Sequence, residues 1–196
     1  MSARQVAALF CRADSVYKTL PGVVVFDAAR DALTFEGGMP VVAHPPCRGW
    51  GRLRGLAKPA PGERELALWA VDVVRRCGGV LEHPEASMLW RVAGLPASGG
   101  GRDGFGGWTL ALPQFWFGHR ARKNTWLYVV GVSPARLPAL PLVLGQAPCV
   151  VSNSASTRRN GRPEVSRAER EHAPPDFARW LVEVERRSVV GSGDVS

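Results

Sequence analysis

The sequence predicts a single α/β domain, three layers deep (αβα), with a mostly parallel sheet and one late antiparallel strand. Short apolar runs end at Cys11, Asp27, His44 and Glu82, an amphipathic helix lies between the last two, and a further apolar run follows Lys123. Short, continuous apolar runs are the mark of strands covered on both faces, and a helix joining two of them makes a right-handed crossover between parallel strands.

Val6 to Cys11 reads as the first strand and Val23 to Asp27 as the second, with room for only a short helix, Ala13 to Leu20, before Pro21-Gly22. The third strand is Pro40 to His44 and the fourth Gly79 to Glu82. Between them the breaker Pro59-Ala60-Pro61-Gly62 precedes a helix from Glu63 to Cys77. Its apolar stripe is Leu66, Trp69, Ala70, Val73 and Val74, spaced at three and four residues. Acids open this helix, Arg75-Arg76 close it in keeping with the dipole, and Gly78-Gly79 end it.

Ser87 to Ala93 suits one more short helix. Gly99 to Gly107 reads as a mobile loop, since it lacks the Gly-Lys-Ser/Thr ending of a phosphate loop. Asn124 to Val132 is the late strand. Pro134, Pro138, Pro141 and Pro148 then mark an extended connection to a candidate edge strand at Cys149-Val150-Val151. Residues 152–164 are polar, with Arg158, Arg159 and Arg162 in a flexible loop. Ser166-Arg167-Ala168-Glu169 carries a capping-box pattern, and Pro174-Pro175 leads into a helix from Asp176 to Arg187 with the stripe Phe177, Trp180, Leu181 and Val184. The catalytic domain is therefore expected over residues 1–188, with a flexible tail at 189–196.

A chain of 196 residues that is 45% hydrophobic supports one sizeable core and argues against global disorder. The formal net charge is +8, and lysine occurs only at Lys18, Lys58 and Lys123, so arginine supplies most of the positive charge. Its planar fork suits phosphates and base edges, which favours a polyanionic partner; a GC-rich genome produces the same bias. The four cysteines are widely spaced with no C-x-x-C pair, against a zinc ribbon and a secreted disulfide framework. Met1 to Phe10 holds no signal-peptide stretch, and no run approaches the roughly 18 apolar residues of a membrane span, so a cytoplasmic setting without membrane contact is expected.

The chemistry concentrates in His44-Pro45-Pro46-Cys47-Arg48-Gly49-Trp50 and Leu81-Glu82-His83-Pro84. Each ends a buried strand, and open α/β sheets build ligand sites at those ends. Cys47 follows two prolines on rigid backbone, and Arg48, Arg52 and Arg54 would favour its thiolate; Cys11, Cys77 and Cys149 read as structural. Glu82 is expected to be desolvated, with a raised pKa and a proton to donate to a ring nitrogen, although a capping or ion-pair role fits equally well. Trp50 suits either stacking on a displaced base or covering a sheet edge. A zinc hydrolase or deaminase using His44, Cys47, His83 and His119 is a rival, with His83-Pro84-Glu85 imitating H-x-E. The order of its motifs is reversed and a second nearby cysteine is missing, so no metal is expected.

Taken together, Pro45-Pro46-Cys47, the following helix, Leu81-Glu82-His83-Pro84, and Gly118-His119-Arg120-Ala121-Arg122 running into the late strand resemble the motif order of DNA cytosine-5 methyltransferases. The resemblance covers roughly residues 6–132, and the small size is similar to that of short methyltransferase-like proteins of bacteriophages. It implies a Rossmann-like sheet and a DNA substrate. By that resemblance Cys47 attacks C6 of a flipped cytosine, Glu82 holds or protonates N3, and Arg120 and Arg122 steady the base or its adduct, while carbon 5 takes a methyl group from S-adenosylmethionine. Phe10, Asp27 and Pro45 are the implied cofactor contacts, with Asp27 at the ribose. Arg48, Trp50, Arg52, Arg54 and Lys123 are the implied DNA contacts. The chain departs from the family in having no glycine between Phe10 and Gly22, and His83-Pro84 where the family has Asn-Val. A catalytically idle nucleic-acid-binding protein and a base-modifying enzyme with another donor are the alternatives.

Overall fold

The computed structural model describes residues 4–51, 54–151 and 161–188. Arg52, Arg158, Arg159 and the tail at 189–196 lie outside them. The elements in chain order are β1 (Val6–Leu9), β2 (Val23–Val25), β3 (Val41–Ala43), α1 (Glu63–Cys77), β4 (Gly79–Pro84), α2 (Leu89–Val92), β5 (Trp108–Pro113), β6 (Asn124–Val130), α3 (Arg167–Glu171) and α4 (Pro175–Arg186), with 3-10 turns between several of them.

One mixed sheet runs β2-β1-β3-β4-β6-β5. The first four strands are parallel, and β6 pairs antiparallel with both β4 and β5. The α/β class, the parallel strands and the late antiparallel strand agree with the sequence expectation. Strand β5 was not foreseen: Trp-Thr-Leu-Ala-Leu-Pro lacks a β-branched run, exposes Ala111 and ends in proline, and its pairing with β6 is what makes it a strand.

Alternation along the strands builds two cores. Ala7, Leu9, Val41, Ala43 and Leu81 face α1, packing on Ala67, Ala70, Val71, Val73 and Val74. Val6, Ala8, Val42, Val80, Leu127 and Val129 face the other way, onto Phe177, Ala178, Leu181 and Val184 of α4. Helices therefore cover both faces, as strands apolar on both sides require. The α1 boundaries match the expected ones, and the N-cap half of the capping-box pattern at α3 forms, with Ser166 Oγ accepting from the Glu169 amide at 3.1 Å while the Glu169 carboxylate goes to Arg120.

Two loops differ from expectation. The glycine-rich segment 99–107 is organised by Asp103, whose carboxylate accepts from the amides of Phe105 and Gly107 and from the Tyr128 hydroxyl, and which lies 3.7 Å from Arg75. A loop tied in this way to α1 and β6 is a built turn rather than a mobile one. The segment Cys149–Val151 joins no edge of the main sheet; isolated bridges pair Ala121 with Cys149 and Val150 with Glu164. Among the described residues no helix is long and apolar enough to cross a membrane.

Candidate active site

The chain leaves β1 for β2 on one side and returns to β3 on the other. Loops at the carboxyl ends of β1 and β3 therefore diverge, which opens a crevice at the point where strand order reverses. A cleft of about 1380 Å³ occupies this end of the sheet. Of the residues expected to matter, Phe10, Pro45, Cys47, Arg48, Glu82, Arg122 and Lys123 line it.

Strand parity explains what faces what. His44 continues β3 and Glu82 lies in β4, both on the face that carries Val42 and Val80; Thr125 of β6 and Gln114, just beyond β5, share it. Their side chains meet in one network. His44 Nδ1 lies 3.1 Å from Glu82 Oε2. The Thr125 hydroxyl donates to Glu82 Oε1 at 2.8 Å, and Gln114 Nε2 donates to the same oxygen at 3.1 Å and to Thr125 at 3.0 Å. At its other end the His44 imidazole meets the Tyr17 hydroxyl, 2.8 Å from Nε2.

This network reverses the expected charge state of Glu82. Burial alone raises a carboxyl, but the hydrogen bond and the electrostatic interaction with His44, then the charge of Lys123 and the hydrogen bond from Thr125, outweigh it and hold Glu82 down at about 2. Glu82 is thus a buried carboxylate, not a resting acid. The environment of Cys47 is also the opposite of the expected one. Cys47 is an exposed residue at the cleft, yet partial desolvation of its thiol and the negative charge of Glu82 push it up, with Lys123 opposing, so the sulfur rests protonated. Of the three arginines expected beside it, Arg48 forks onto Glu63 at the start of α1, with Nε donating to Oε1 at 3.0 Å, Arg54 is exposed outside the cleft, and Arg52 lies outside the described residues.

Lys123 is more deeply involved than a DNA contact would be. Burial lowers its ammonium pKa, while Glu82 and Cys47 favour the charge, and Nζ donates to the His172 carbonyl at 3.1 Å. Lys123 (φ 39°) and Phe10 (φ 60°) are the two non-glycine residues with positive φ among those described, and both line the cleft. Backbone held in this sparsely populated region is costly and concentrates at functional sites.

Four expected site residues lie elsewhere. Trp50 is 1% exposed and packed in the α1 core, with its indole N–H donating to the Arg64 carbonyl and the Arg64 guanidinium over its ring; this ring cannot stack on a base without unpacking the core. Asp27 is outside the cleft lining, its carboxylate 2.6 Å from Lys18 and capping the amides of Ala29 and Arg30. Arg120 turns away to a two-pronged pair with Glu169, at 2.9 and 2.6 Å. Arg54 is the fourth.

His83 points to the opposite face from Glu82, fully buried against Trp90, and burial holds its ring down at about 4. His119 lies within hydrogen-bonding distance of the Ala121 and Glu169 carbonyl oxygens. The His44, Cys47, His83 and His119 set proposed for zinc is therefore not assembled, and among the described residues no group of three His, Cys, Asp or Glu side chains is placed to hold a metal ion.

The sequence reading missed Tyr17, Gln114 and Thr125, and gave His44 a role only in the rival zinc site. Parity along β3 and β6 carries the signal for His44 and Thr125; Gln114 could be found only by knowing β5. No family model, curated protein or solved structure matches the chain.

Proposed function

We propose that the chain is a DNA-modifying enzyme of the cytosine-5 methyltransferase type, with a Rossmann-like sheet, a cysteine nucleophile and S-adenosylmethionine as methyl donor. The observation that carries this reading is that Cys47 and Glu82, 35 residues apart in sequence (82 − 47), line one cleft at the strand-order reversal. Acting on a flipped cytosine, Cys47 sulfur bonds to C6. The C5=C6 pair moves toward C4, and N3 gains a proton.

The thiol must lose the proton that N3 must gain. Ionised Glu82 is a carboxylate of the cleft that would carry it from one to the other, so the S–H bond is in effect added across C6 and N3. Arg122, whose Nε donates to Asn124 at the cleft wall, would be the arginine that meets the base or its phosphate.

For the donor, Phe10 and Pro45 line the same cleft, and the left-handed Phe10 makes the turn after β1 that a glycine makes more easily. These are the residues that would hold it. When bound, S-adenosylmethionine would supply the methyl group that carbon 5 accepts; loss of the C5 hydrogen to solvent as a proton then restores the C5=C6 bond and releases the Cys47 sulfur. Asp27 has no part in this, because Lys18 and two backbone amides already occupy its carboxylate.

That capture of Asp27 favours a second reading, in which the site binds or modifies a base without this donor. Labelled S-adenosylmethionine and DNA distinguish the two. Transfer by wild type, lost in Cys47→Ala and Glu82→Gln, supports the methyltransferase. Transfer retained in both variants overturns the mechanism, and no donor binding by wild type selects the second reading.

A further inference from the structure

His44 takes no part in the bond changes just described, yet it stands at the centre of the polar chain in the cleft. Its ring bridges two side chains from different elements, Tyr17 on the 3-10 turn after β1 and Glu82 on β4, at 2.8 and 3.1 Å. Tyr17 is 1% exposed, its ring tilted against the imidazole with centroids 5.5 Å apart. Burial, with the charges of Cys11 and Glu82, pushes the Tyr17 phenol well above its ordinary range, so it keeps its proton. A phenol facing Nε2 donates to it, which leaves the ring hydrogen on Nδ1, directed at Glu82.

We propose that His44, with its tautomer locked by Tyr17, is a positioning residue that holds the Glu82 carboxylate for the chemistry of the cleft. The geometry is independent of the substrate; the catalytic consequence rests on the cytosine reading above. Glu82 is faced by His44 from the end of β3, Thr125 from β6, Gln114 from the turn after β5, Lys123 from the segment before β6, and the Cys47 loop. Of these, His44 is the donor on Oε2, and the others act on Oε1 or through charge. Removing it releases one carboxylate oxygen and leaves the rest of the network in place. Removing the Tyr17 hydroxyl frees the tautomer, so that Nδ1 no longer reliably carries the hydrogen.

The test follows the Glu82 side-chain carboxyl by carbon-13 NMR between pH 3 and 8 in the full chain, for wild type, Tyr17→Phe, His44→Asn and His44→Ala. The asparagine amide can still donate to Oε2. Wild type stays ionised throughout. His44→Ala titrates within the window, its midpoint raised by about one unit or more, as expected when a hydrogen bond to the charged form is lost. Tyr17→Phe moves in the same direction, and His44→Asn returns toward wild type. A wild-type titration in folded His44→Ala overturns the proposal, as does equal disturbance by His44→Asn and His44→Ala.

A second measurement reads the consequence for catalysis. Addition of Cys47 to C6 makes carbon 5 of cytosine exchange its hydrogen with solvent, so deuterium uptake by an oligonucleotide in heavy water needs no methyl donor. The acidic limb of its pH–rate profile is expected to move upward in His44→Ala and to recover in His44→Asn; an unmoved limb overturns the positioning role. If wild type catalyses no exchange, the cytosine reading fails, while the NMR titration still decides the role of His44.

Discussion

Arg48 and Glu63 join the loop that carries Cys47 to the first turn of α1. The guanidinium meets the carboxylate through two nitrogens, Nε at 3.0 Å, and Glu63 also accepts from the Ala60 amide at 3.1 Å. Glu63 is buried and Arg48 is exposed, so the pair is anchored from the helix side. Its effect is to hold the residue next to the nucleophile. Glu63→Ala is expected to cost about 1 to 2 kcal/mol in urea unfolding, the range of charge-assisted hydrogen bonds with one exposed partner. It should also lower deuterium exchange more than the stability loss explains, because the Cys47 loop is released.

The sulfur of Cys47 should titrate late. Cys47 is exposed, so reagent can reach it, but partial desolvation and Glu82 push the thiol above its ordinary value of 9.0, and carbamidomethylation at Cys47, followed by peptide mass spectrometry, should remain slow at pH 8. Glu82→Gln removes a negative charge from its surroundings and should shift the alkylation midpoint downward. A midpoint unchanged by Glu82→Gln would show that the carboxylate and the sulfur do not share a field.

Glu82 also makes stability depend on acid pH. Its folded pKa, about 2, lies below the unfolded value of 4.5, so the folded state resists protonation. The stabilisation is fully present above the unfolded value and is lost as pH falls from there toward about 2. Urea unfolding between pH 3 and 6 should show a steeper loss of stability for wild type than for Glu82→Gln. Parallel curves would contradict the ionised buried carboxylate.

Glu185 has the opposite sign. It lies on the buried face of α4 at 0% exposure with neither carboxylate oxygen hydrogen-bonded, and burial raises it well above 4.5 despite the opposing influence of Arg4. The folded state then prefers the protonated form, so stability falls as pH rises from the unfolded value toward the folded one. Glu185→Gln should raise the melting temperature at pH 8 more than at pH 4, measured by calorimetry.

Gly79 makes the tightest approach in the sheet. It has φ 143°, and a Cβ there would meet the backbone and side chain of Val41 on β3. Gly79→Ala is expected to destabilise by more than about 2 kcal/mol, the range of severe backbone and packing conflicts, and to abolish the cleft chemistry with the β3–β4 pairing. Wild-type unfolding in that variant would mean that the two strands can separate at no cost.

How much of this was legible varies with the range of the signal. The limits of α1 were readable because both ends are local: Gly62 and Gly78 with positive φ, Glu63 and Glu65 in the first turn, Arg75 and Arg76 in the last. Cys47 and Glu82 were readable as strand-end residues because apolar runs stop at them. Strand β5 was not, since Trp108 to Pro113 becomes a strand only by pairing with β6. Trp50 and Asp27 looked available for ligands because sequence shows neither the Arg64 carbonyl nor the Lys18 ammonium that occupies them.

The sequence by itself determined the α/β class, the parallel order of the early strands, and the two positions from which a thiol and a carboxyl can meet. Tertiary structure alone decided what charge they carry there. The partners that keep Glu82 ionised lie 32, 38 and 43 residues away along the chain, at Gln114, His44 and Thr125. A buried carboxyl takes its proton or gives it up according to the sum of desolvation, hydrogen bonds and neighbouring charge. No local pattern around residue 82 contains that sum.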